Sequence, residues 1–273
     1  MANETVHSPE ELDPEIAEFY RRTMRKLEQG GVPFLVGGAY AFARYTGIVR
    51  HTKDFDLFLH ARDFDRALET LAAAGYQVER NFPHWLGKAY QGDAFVDLIF
   101  SSGNGLAEVD DLWFEHSVEE VVLGVPARLC PAEEIIWSKA FIMERERFDG
   151  ADVAHLLHSR AEDLDWDRLL ERFGSNWRVL FTHLILFGYI YPAEAHRLPA
   201  RVMDKLIDRL RDETRGGADD ADRLCRGPIL SRSQYLKDLE RWGYRDARLV
   251  PEGNMTADEI ELWTEAARQE GLV

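Results

Sequence analysis

The stretch Phe34–His60, FLVGGAYAFARYTGIVRHTKDFDLFLH, contains the pattern on which the fold depends. One apolar run ends in Gly37 and Gly38, and a second apolar run contains Asp54 and Asp56. Residues two apart in a strand point to the same face of a sheet, so the two carboxylates are predicted to lie side by side. Carboxylates this close repel each other unless a positive charge lies between them. The stretch therefore predicts a site for a cation.

The glycine pair and a third carboxylate extend this prediction. A Gly-Gly pair between a strand and a helix lets backbone N–H groups approach a phosphate, and the helix N-terminus adds a partial positive charge. Asp97 lies in the apolar run FVDLIF, where a charge is expected to be paired or bound to a metal. A few hard oxygen ligands suit Mg²⁺, which completes its shell with water and substrate phosphates.

Composition limits the class of protein. The 273 residues are 45% hydrophobic, which is enough for a real core, and carry a formal net charge of -16. This charge argues against nonspecific binding to DNA, although a local basic groove is compatible with it. Two distant cysteines fit a reduced cytoplasmic protein. Because the N-terminus lacks an apolar core and the apolar run 179–191 is too short for a bilayer, we expect neither a signal peptide nor a membrane span.

The hydrophobic periodicity changes near Pro131. Strand-like and helical patterns alternate up to residue 130, and helical patterns follow, beginning with a helix predicted over Pro131–Arg145. The sequence thus predicts an α+β fold, with a mixed-sheet domain over residues 1–130 and an all-helical domain over residues 131–273.

The order apolar-Gly-Gly, Asp-x-Asp and apolar-Asp-apolar resembles the DNA polymerase β-like nucleotidyltransferase superfamily, in particular the small bacterial transferases of abortive-infection and toxin–antitoxin systems. The resemblance covers roughly Phe34–Phe100 and a position near Lys139. It implies a metal-dependent enzyme that moves a nucleoside monophosphate from an NTP to a hydroxyl acceptor and releases pyrophosphate.

The resemblance also implies roles for individual residues. Asp54, Asp56 and Asp97 would hold two Mg²⁺ ions, for which Mn²⁺ can substitute, and Asp97 would deprotonate or position the attacking hydroxyl. Gly37 and Gly38 would bind the triphosphate. The remaining candidates for nucleotide binding are Arg50 and Thr52, in an Arg-x-Thr-x-Asp-x-Asp pattern, together with Lys88 and Lys139.

Several alternatives stay open at this stage. The three acids can be surface residues of edge strands beside a turn, Lys88 can be an ordinary solvated side chain, and Lys139 can extend past its apolar neighbours into water. The acceptor can be a small cationic molecule, which suits the acidic composition, a tRNA held by a local patch, or a protein. A non-catalytic module that binds a nucleotide or a partner protein is the alternative to an enzyme.

Overall fold

The computed structural model describes residues 12–50, 54–215 and 223–269. The chain divides into two compact units, Met1–Pro131 and Ala132–Val273. Within the described ranges, no helix is long and apolar enough to cross a membrane.

The first unit alternates helices with strands. Its helices are α1 (Pro14–Gln29), α2 (Gly38–Thr46), α3 (Phe64–Ala73), which follows the 3-10 turn Ala61–Asp63, and α4 (Asp111–Glu115). Its strands are β1 (Leu35–Val36), β2 (Asp56–Phe58), β3 (Gln77–Phe82), β4 (Leu86–Gln91), β5 (Ala94–Ile99), β6 (Val118–Val122) and β7 (Val125–Leu129).

The seven strands form one mixed sheet in the order β3-β4-β5-β2-β1-β7-β6. The pairs β1–β7 and β2–β5 are parallel, and the other neighbours are antiparallel. The sheet turns at three hairpins, β3–β4, β4–β5 and β6–β7. This arrangement confirms the mixed-sheet fold that the sequence predicts.

Helices α1 and α3 cover one face of the sheet. Tyr20 of α1 stacks on Phe55 with ring centroids 4.5 Å apart, and a Cβ atom added to Gly87 of β4 would overlap the Phe64 ring of α3. The strand residues that point to this side are fully buried: Leu57, Ala89, Val96 and Leu98. Alternation along the strands sends Asp56, Lys88 and Asp97 to the opposite face.

The described residues of the second unit are helical apart from one pair of short strands. Its helices are α5 (Ala132–Ala140), α6 (Gly150–Arg160), α7 (Trp166–Phe173), α8 (Trp177–Ile190), α9 (Ala200–Arg215), α10 (Gly227–Leu230), α11 (Leu236–Glu240) and α12 (Ala257–Gln269). The 3-10 turns Gly174–Asn176 and Pro192–Arg197 flank α8. Strands β8 (Leu224–Cys225) and β9 (Arg245–Asp246) pair in parallel. A helical second half is thus confirmed, but the prediction that it is all helical was wrong, because Leu224–Cys225 and Arg245–Asp246 pair across a long stretch of chain.

An ion-pair network joins α5 to α7. Glu134 is fully buried and accepts hydrogen bonds from Arg168, at 2.8 Å, and from Arg172, at 3.1 Å. Glu133 lies 2.8 Å from the Arg168 guanidinium. Removal of one partner from such a network leaves an uncompensated buried charge, so these pairs fix the register between the two helices.

Helix α5 ends at Ala140, five residues before the predicted end at Arg145. The chain turns back after α5, since the Asp149 amide donates to the Ile142 carbonyl at 3.1 Å. Lys139 forms an ion pair with Asp149 at 2.8 Å. The predicted end was wrong because this contact between residues ten positions apart overrides the local helical preference.

Candidate active site

Three of the predicted site residues form one row across adjacent strands. Asp56 of β2 lies directly opposite Asp97 of β5 in the parallel pair, and Asp97 lies directly opposite Lys88 of β4 in the antiparallel pair. Neighbouring strands are about 4.8 Å apart and residues in register share a face. We call Lys88, Asp97 and Asp56 the charged row.

The charged row lies on the face of the sheet that α1 and α3 leave uncovered. The side chains of Asp97 and Lys88 keep 15% and 23% of their surface exposed, whereas the intervening Val96 and Leu98 are fully buried. Asp54 precedes β2 by two residues and is exposed. A ligand can therefore reach all of these carboxylates without any opening of the core.

The charges of all three predicted carboxylates raise the pKa of the Tyr20 phenol. Its pKa is raised to about 12, first by burial and then by the negative charges of Asp54, Asp56 and Asp97. Tyr20 is 1% exposed. An electrostatic effect of this kind falls off with distance, so each of the three acids is close enough to Tyr20 for its charge to act on the phenol.

Asp97 and Lys88 are in direct contact. The Lys88 Nζ atom lies 2.7 Å from Asp97 Oδ1 and 4.2 Å from the centre of the Phe95 ring. Burial raises the pKa of Asp97, the hydrogen bond and charge of Lys88 lower it, the charge of Asp54 raises it, and the net pKa is above the ordinary value. A carboxylate with a raised pKa is a better proton acceptor than a surface aspartate.

The glycine pair brings the N-terminus of α2 against Asp56. The Gly37 amide donates to the Asp56 carbonyl at 3.0 Å, and α2 begins at Gly38. Gly38 has a φ of 53°, and a Cβ atom there would overlap the Asp56 carboxylate. A Cβ atom on Gly37 would overlap the Phe58 ring. Both positions therefore require glycine, one for its backbone conformation and both for space.

Two other predicted nucleotide contacts, Arg50 and Thr52, are not tested by the structure. The guanidinium of the exposed Arg50 lies 4.5 Å from the centre of the Phe42 ring. Thr52, with His51 and Lys53, lies outside the described residues. Roles for Arg50 and Thr52 in nucleotide binding stay predictions.

Lys139 belongs to a separate ion cluster in the second unit. Its Nζ atom lies 2.8 Å from Asp149 Oδ2 and 2.8 Å from Asp152 Oδ2. Arg147 donates two hydrogen bonds of 2.9 Å to the Asp149 carboxylate. Asp149 and Asp152 are both buried. A contact between Lys139 and a triphosphate stays a prediction, and it would require the ammonium to leave these two carboxylates.

Tyr20 is a neighbour of the acids that the sequence does not reveal. In the sequence it is one of several apolar-face residues of α1, 34 positions before Asp54, and no motif links it to the acids. Its stacking on Phe55 places it on the covered face of the sheet, beside the residue that lies between Asp54 and Asp56. A tyrosine on an otherwise aliphatic and aromatic helix face is the one available signal, and it is a weak one, because tyrosine is also common in cores.

The chemistry of the charged row fits a divalent cation. Asp56 and Asp97 offer hard oxygen atoms from adjacent strands, and no Cβ atom at Gly38 obstructs the Asp56 carboxylate. Among the described residues, no three His, Cys, Asp or Glu side chains already stand in the arrangement of a metal centre. One oxygen of Asp97 is in contact with the Lys88 ammonium instead.

A family model described as an uncharacterised nucleotidyltransferase matches residues 16–175, which is more than half of the 273 residues. The chain belongs to this nucleotidyltransferase family. The match contains the glycine pair, the charged row and Lys139, and it confirms the relationship that the order of motifs indicates. No curated protein matches the chain.

Solved structures of known transferases resemble the chain more distantly. The antibiotic-resistance factor ANT(2'')-Ia is 19% identical, with a TM-score of 0.46 over 63% of this chain and 98% of that one. The lincosamide antibiotic adenylyltransferase LnuA is 13% identical, with a TM-score of 0.39 over 55% and 99%. A nucleotidyltransferase-like protein from Paracoccidioides brasiliensis is 16% identical, with a TM-score of 0.44 over 67% and 91%. These similarities are too low to assign an activity.

Substitution of Gly38 by alanine tests the close approach of α2 to Asp56. An alanine at position 38 would have to adopt the left-handed backbone conformation, and its Cβ atom would overlap the Asp56 carboxylate. We therefore expect Gly38→Ala to lose about 2–5 kcal/mol of unfolding free energy in urea denaturation. Gly31→Ala is the matched control, since Gly31 has a φ of 64° and nothing lies within 4 Å of its added Cβ. It should lose only about 1–2 kcal/mol. Equal losses in the two variants would contradict this account of the glycine pair.

Removal of the Asp149 carboxylate should lower the free energy of unfolding by an amount that depends on pH. Burial alone would raise the pKa of Asp149, but the Arg147 hydrogen bond and the Lys139 charge together hold it below the ordinary value. The pKa of an aspartate in the unfolded chain is about 4. Because the pKa of Asp149 is lower in the folded protein, its carboxylate stabilises the fold above about pH 4, and this stabilisation is lost as the pH falls through the folded-state pKa.

We therefore expect Asp149→Asn to lose about 1.5–3 kcal/mol at pH 7. The difference from wild type should shrink as urea denaturation is repeated below about pH 4. Asp163→Asn, at an exposed position of the same unit, is the control for loss of a surface carboxylate. A difference between Asp149→Asn and wild type that is constant down to pH 2.5 would contradict the assigned role of the ion cluster.

Proposed function

We propose that the protein transfers a nucleoside monophosphate from an NTP to a hydroxyl acceptor and releases pyrophosphate, with Mg²⁺ or Mn²⁺ as cofactor. The observation that carries this proposal is the position of Asp56 opposite Asp97, on adjacent parallel strands, beside the helix that begins at Gly38. Membership of a nucleotidyltransferase family supports it.

The chain's own groups suit this reaction. Asp54, Asp56 and Asp97 would hold two divalent cations, which when bound stabilise the charge on the attacking and leaving oxygen atoms. Asp97 would accept the proton of the acceptor hydroxyl, whose oxygen then attacks the α-phosphorus while the bond to pyrophosphate breaks. The raised pKa of Asp97 favours this role.

The triphosphate would lie against the glycine pair. Backbone N–H groups at the start of α2 can donate to phosphate oxygens, and nothing larger than hydrogen fits on the α-carbons of Gly37 and Gly38. Lys88 is the cation of the charged row and would meet the phosphates from the side of β4. Arg50, Thr52 and Lys139 complete the proposed nucleotide contacts, and the first unit is proposed as the catalytic domain.

The net charge of the protein favours one class of acceptor. A net charge of -16 disfavours a long nucleic acid and favours a small cationic molecule that carries hydroxyl groups. A tRNA held by a local basic patch is the alternative acceptor. We propose a cytoplasmic location, where NTPs and Mg²⁺ are abundant.

A non-catalytic module that binds a nucleotide or a partner protein is the second candidate function. Such a module would have no need for several adjacent carboxylates, which cost stability through mutual repulsion. The two candidates differ in one measurement, because the module would bind NTP without releasing pyrophosphate.

Carboxylate substitutions test the proposed reaction. We expect Asp97→Asn and Asp54→Ala to lower the rate of pyrophosphate release by about 100-fold or more, with circular dichroism spectra like that of wild type. Asp93→Asn is the control, since Asp93 is an exposed aspartate in the turn between β4 and β5. It should keep the wild-type rate. Turnover retained in Asp97→Asn would exclude the proposed mechanism.

The acceptor can be identified by transfer of label. The protein is incubated with α-³²P-labelled NTPs, Mg²⁺ or Mn²⁺, and a small-molecule extract, a tRNA pool or a protein fraction in separate reactions. We expect label on a small molecule retained by a cation-exchange resin. Label on tRNA would show that the acceptor is an RNA and not a small molecule. NTP binding with no transfer to any fraction would favour the binding module.

A further inference from the structure

The backbone fixes Lys88 beside Asp97. Strands β4 and β5 pair without interruption from Leu86–Ile99 to Gln91–Ala94, and the pair Lys88–Asp97 lies in the middle of this ladder. The ammonium reaches Asp97 Oδ1 at 2.7 Å although a second carboxylate, Glu79 of β3, lies opposite Lys88 on its other side. Lys88 thus has two acids in register, and it contacts the one that belongs to the charged row.

The position of this ammonium conflicts with a divalent cation. A cation that joins Asp97 to Asp56 must approach the carboxylate that Lys88 already contacts. Two like charges a few ångströms apart repel each other, and a divalent cation is repelled twice as strongly as a monovalent one. Binding of the cation and contact between Lys88 and Asp97 Oδ1 are therefore in competition.

Lys88 has alternative positions when it leaves Asp97. The ammonium lies 4.2 Å from the Phe95 ring centre, a favourable contact that does not require Asp97. Glu79 is exposed and in register with it on β3. The phosphates of an incoming nucleotide would supply a third partner. Displacement of Lys88 consequently exchanges one favourable contact for another.

We propose that Lys88 is a built-in counter-ion of Asp97 that holds the carboxylate in place before cofactor binding and that the divalent cation must displace. This inference rests on the proposed function, since it takes the charged row as the cation site. It makes Lys88 a positioning residue that acts through Asp97. It also predicts that loss of the lysine strengthens cation binding, whereas loss of a merely structural lysine would not.

Binding of Mn²⁺ without nucleotide tests the inference. Free Mn²⁺ is measured by electron paramagnetic resonance during titration of wild type, Lys88→Met, Lys88→Gln and Lys88→Arg. We expect Lys88→Met and Lys88→Gln to bind Mn²⁺ about tenfold more tightly than wild type, since the competing charge is gone. Lys88→Arg keeps the charge and should bind like wild type.

Thermal denaturation gives a second readout. Without Mn²⁺, Lys88→Met should melt below wild type because Asp97 has lost its counter-ion, and saturating Mn²⁺ should raise its Tm by more than it raises the wild-type Tm. Lys26→Met is the control, because it removes one lysine from α1 of the same unit, where the ammonium contacts Gln29. It should leave Mn²⁺ binding unchanged.

The outcomes separate this inference from the proposed function. If wild type binds Mn²⁺, Asp97→Asn weakens that binding, and folded Lys88→Met and Lys88→Gln bind no more tightly than wild type, the counter-ion role is wrong and the proposed function stands. If wild type binds no Mn²⁺ at millimolar concentration with or without NTP, both are wrong. Tighter binding in the two neutral variants, with wild-type affinity in Lys88→Arg and Lys26→Met, supports the inference.

Discussion

The parallel register between β2 and β5 is the constraint on which the site depends. It sets Asp56 opposite Asp97 and at the same time sends Leu57 and Leu98 into the core. Because side chains alternate along a strand, a shift of one residue would bury Asp97 and expose its apolar neighbours. The cost of such a shift fixes the register, so the hydrophobic core determines where the carboxylates lie. Stability and site geometry thus have one common cause.

Close packing at the glycine pair adds a second constraint to the first. The Gly37 amide is bound to the backbone of Asp56, so β1, the start of α2 and β2 are held as one piece. The carboxylate of Asp56 then occupies the space that a side chain at position 38 would fill. An anion therefore lies at the start of a helix, where the peptide dipoles favour negative charge. The same feature that accommodates Asp56 suits phosphate oxygens.

Local signals explain what the sequence can predict. In the structure the Asp13 and Asp165 side chains cap the starts of α1 and α7 and Gly30 follows the end of α1, so these helix ends have local causes. The glycine pair and the three acids are likewise local patterns in strands. Contacts between distant residues explain the failures. The early end of α5 depends on Asp149, and the place of Tyr20 depends on its stacking on Phe55.

The pairing of Lys88 with Asp97 lies between these cases. It follows from the hairpin β4–β5, whose turn at Gly92 and Asp93 sets the register, so the sequence contains the signal in the form of a short turn between two strands. The signal for this pairing is hard to recognise in the sequence. Lys88 is one of several cations near the motif, and only the count of residues back from the turn distinguishes it from the others.

Lys88 and Lys139 show how two similar lysines acquire different roles. Each is partly buried and lies within 2.8 Å of an aspartate oxygen. Lys139 contacts both Asp149 and Asp152, and Arg147 contacts Asp149, so these ion pairs hold the chain that turns back after α5. Lys88 is a single cation on a row that places two acids side by side. The adjacent carboxylates of Asp56 and Asp97 repel each other, and binding of a cation relieves that repulsion, which is why the charged row is the proposed cation site.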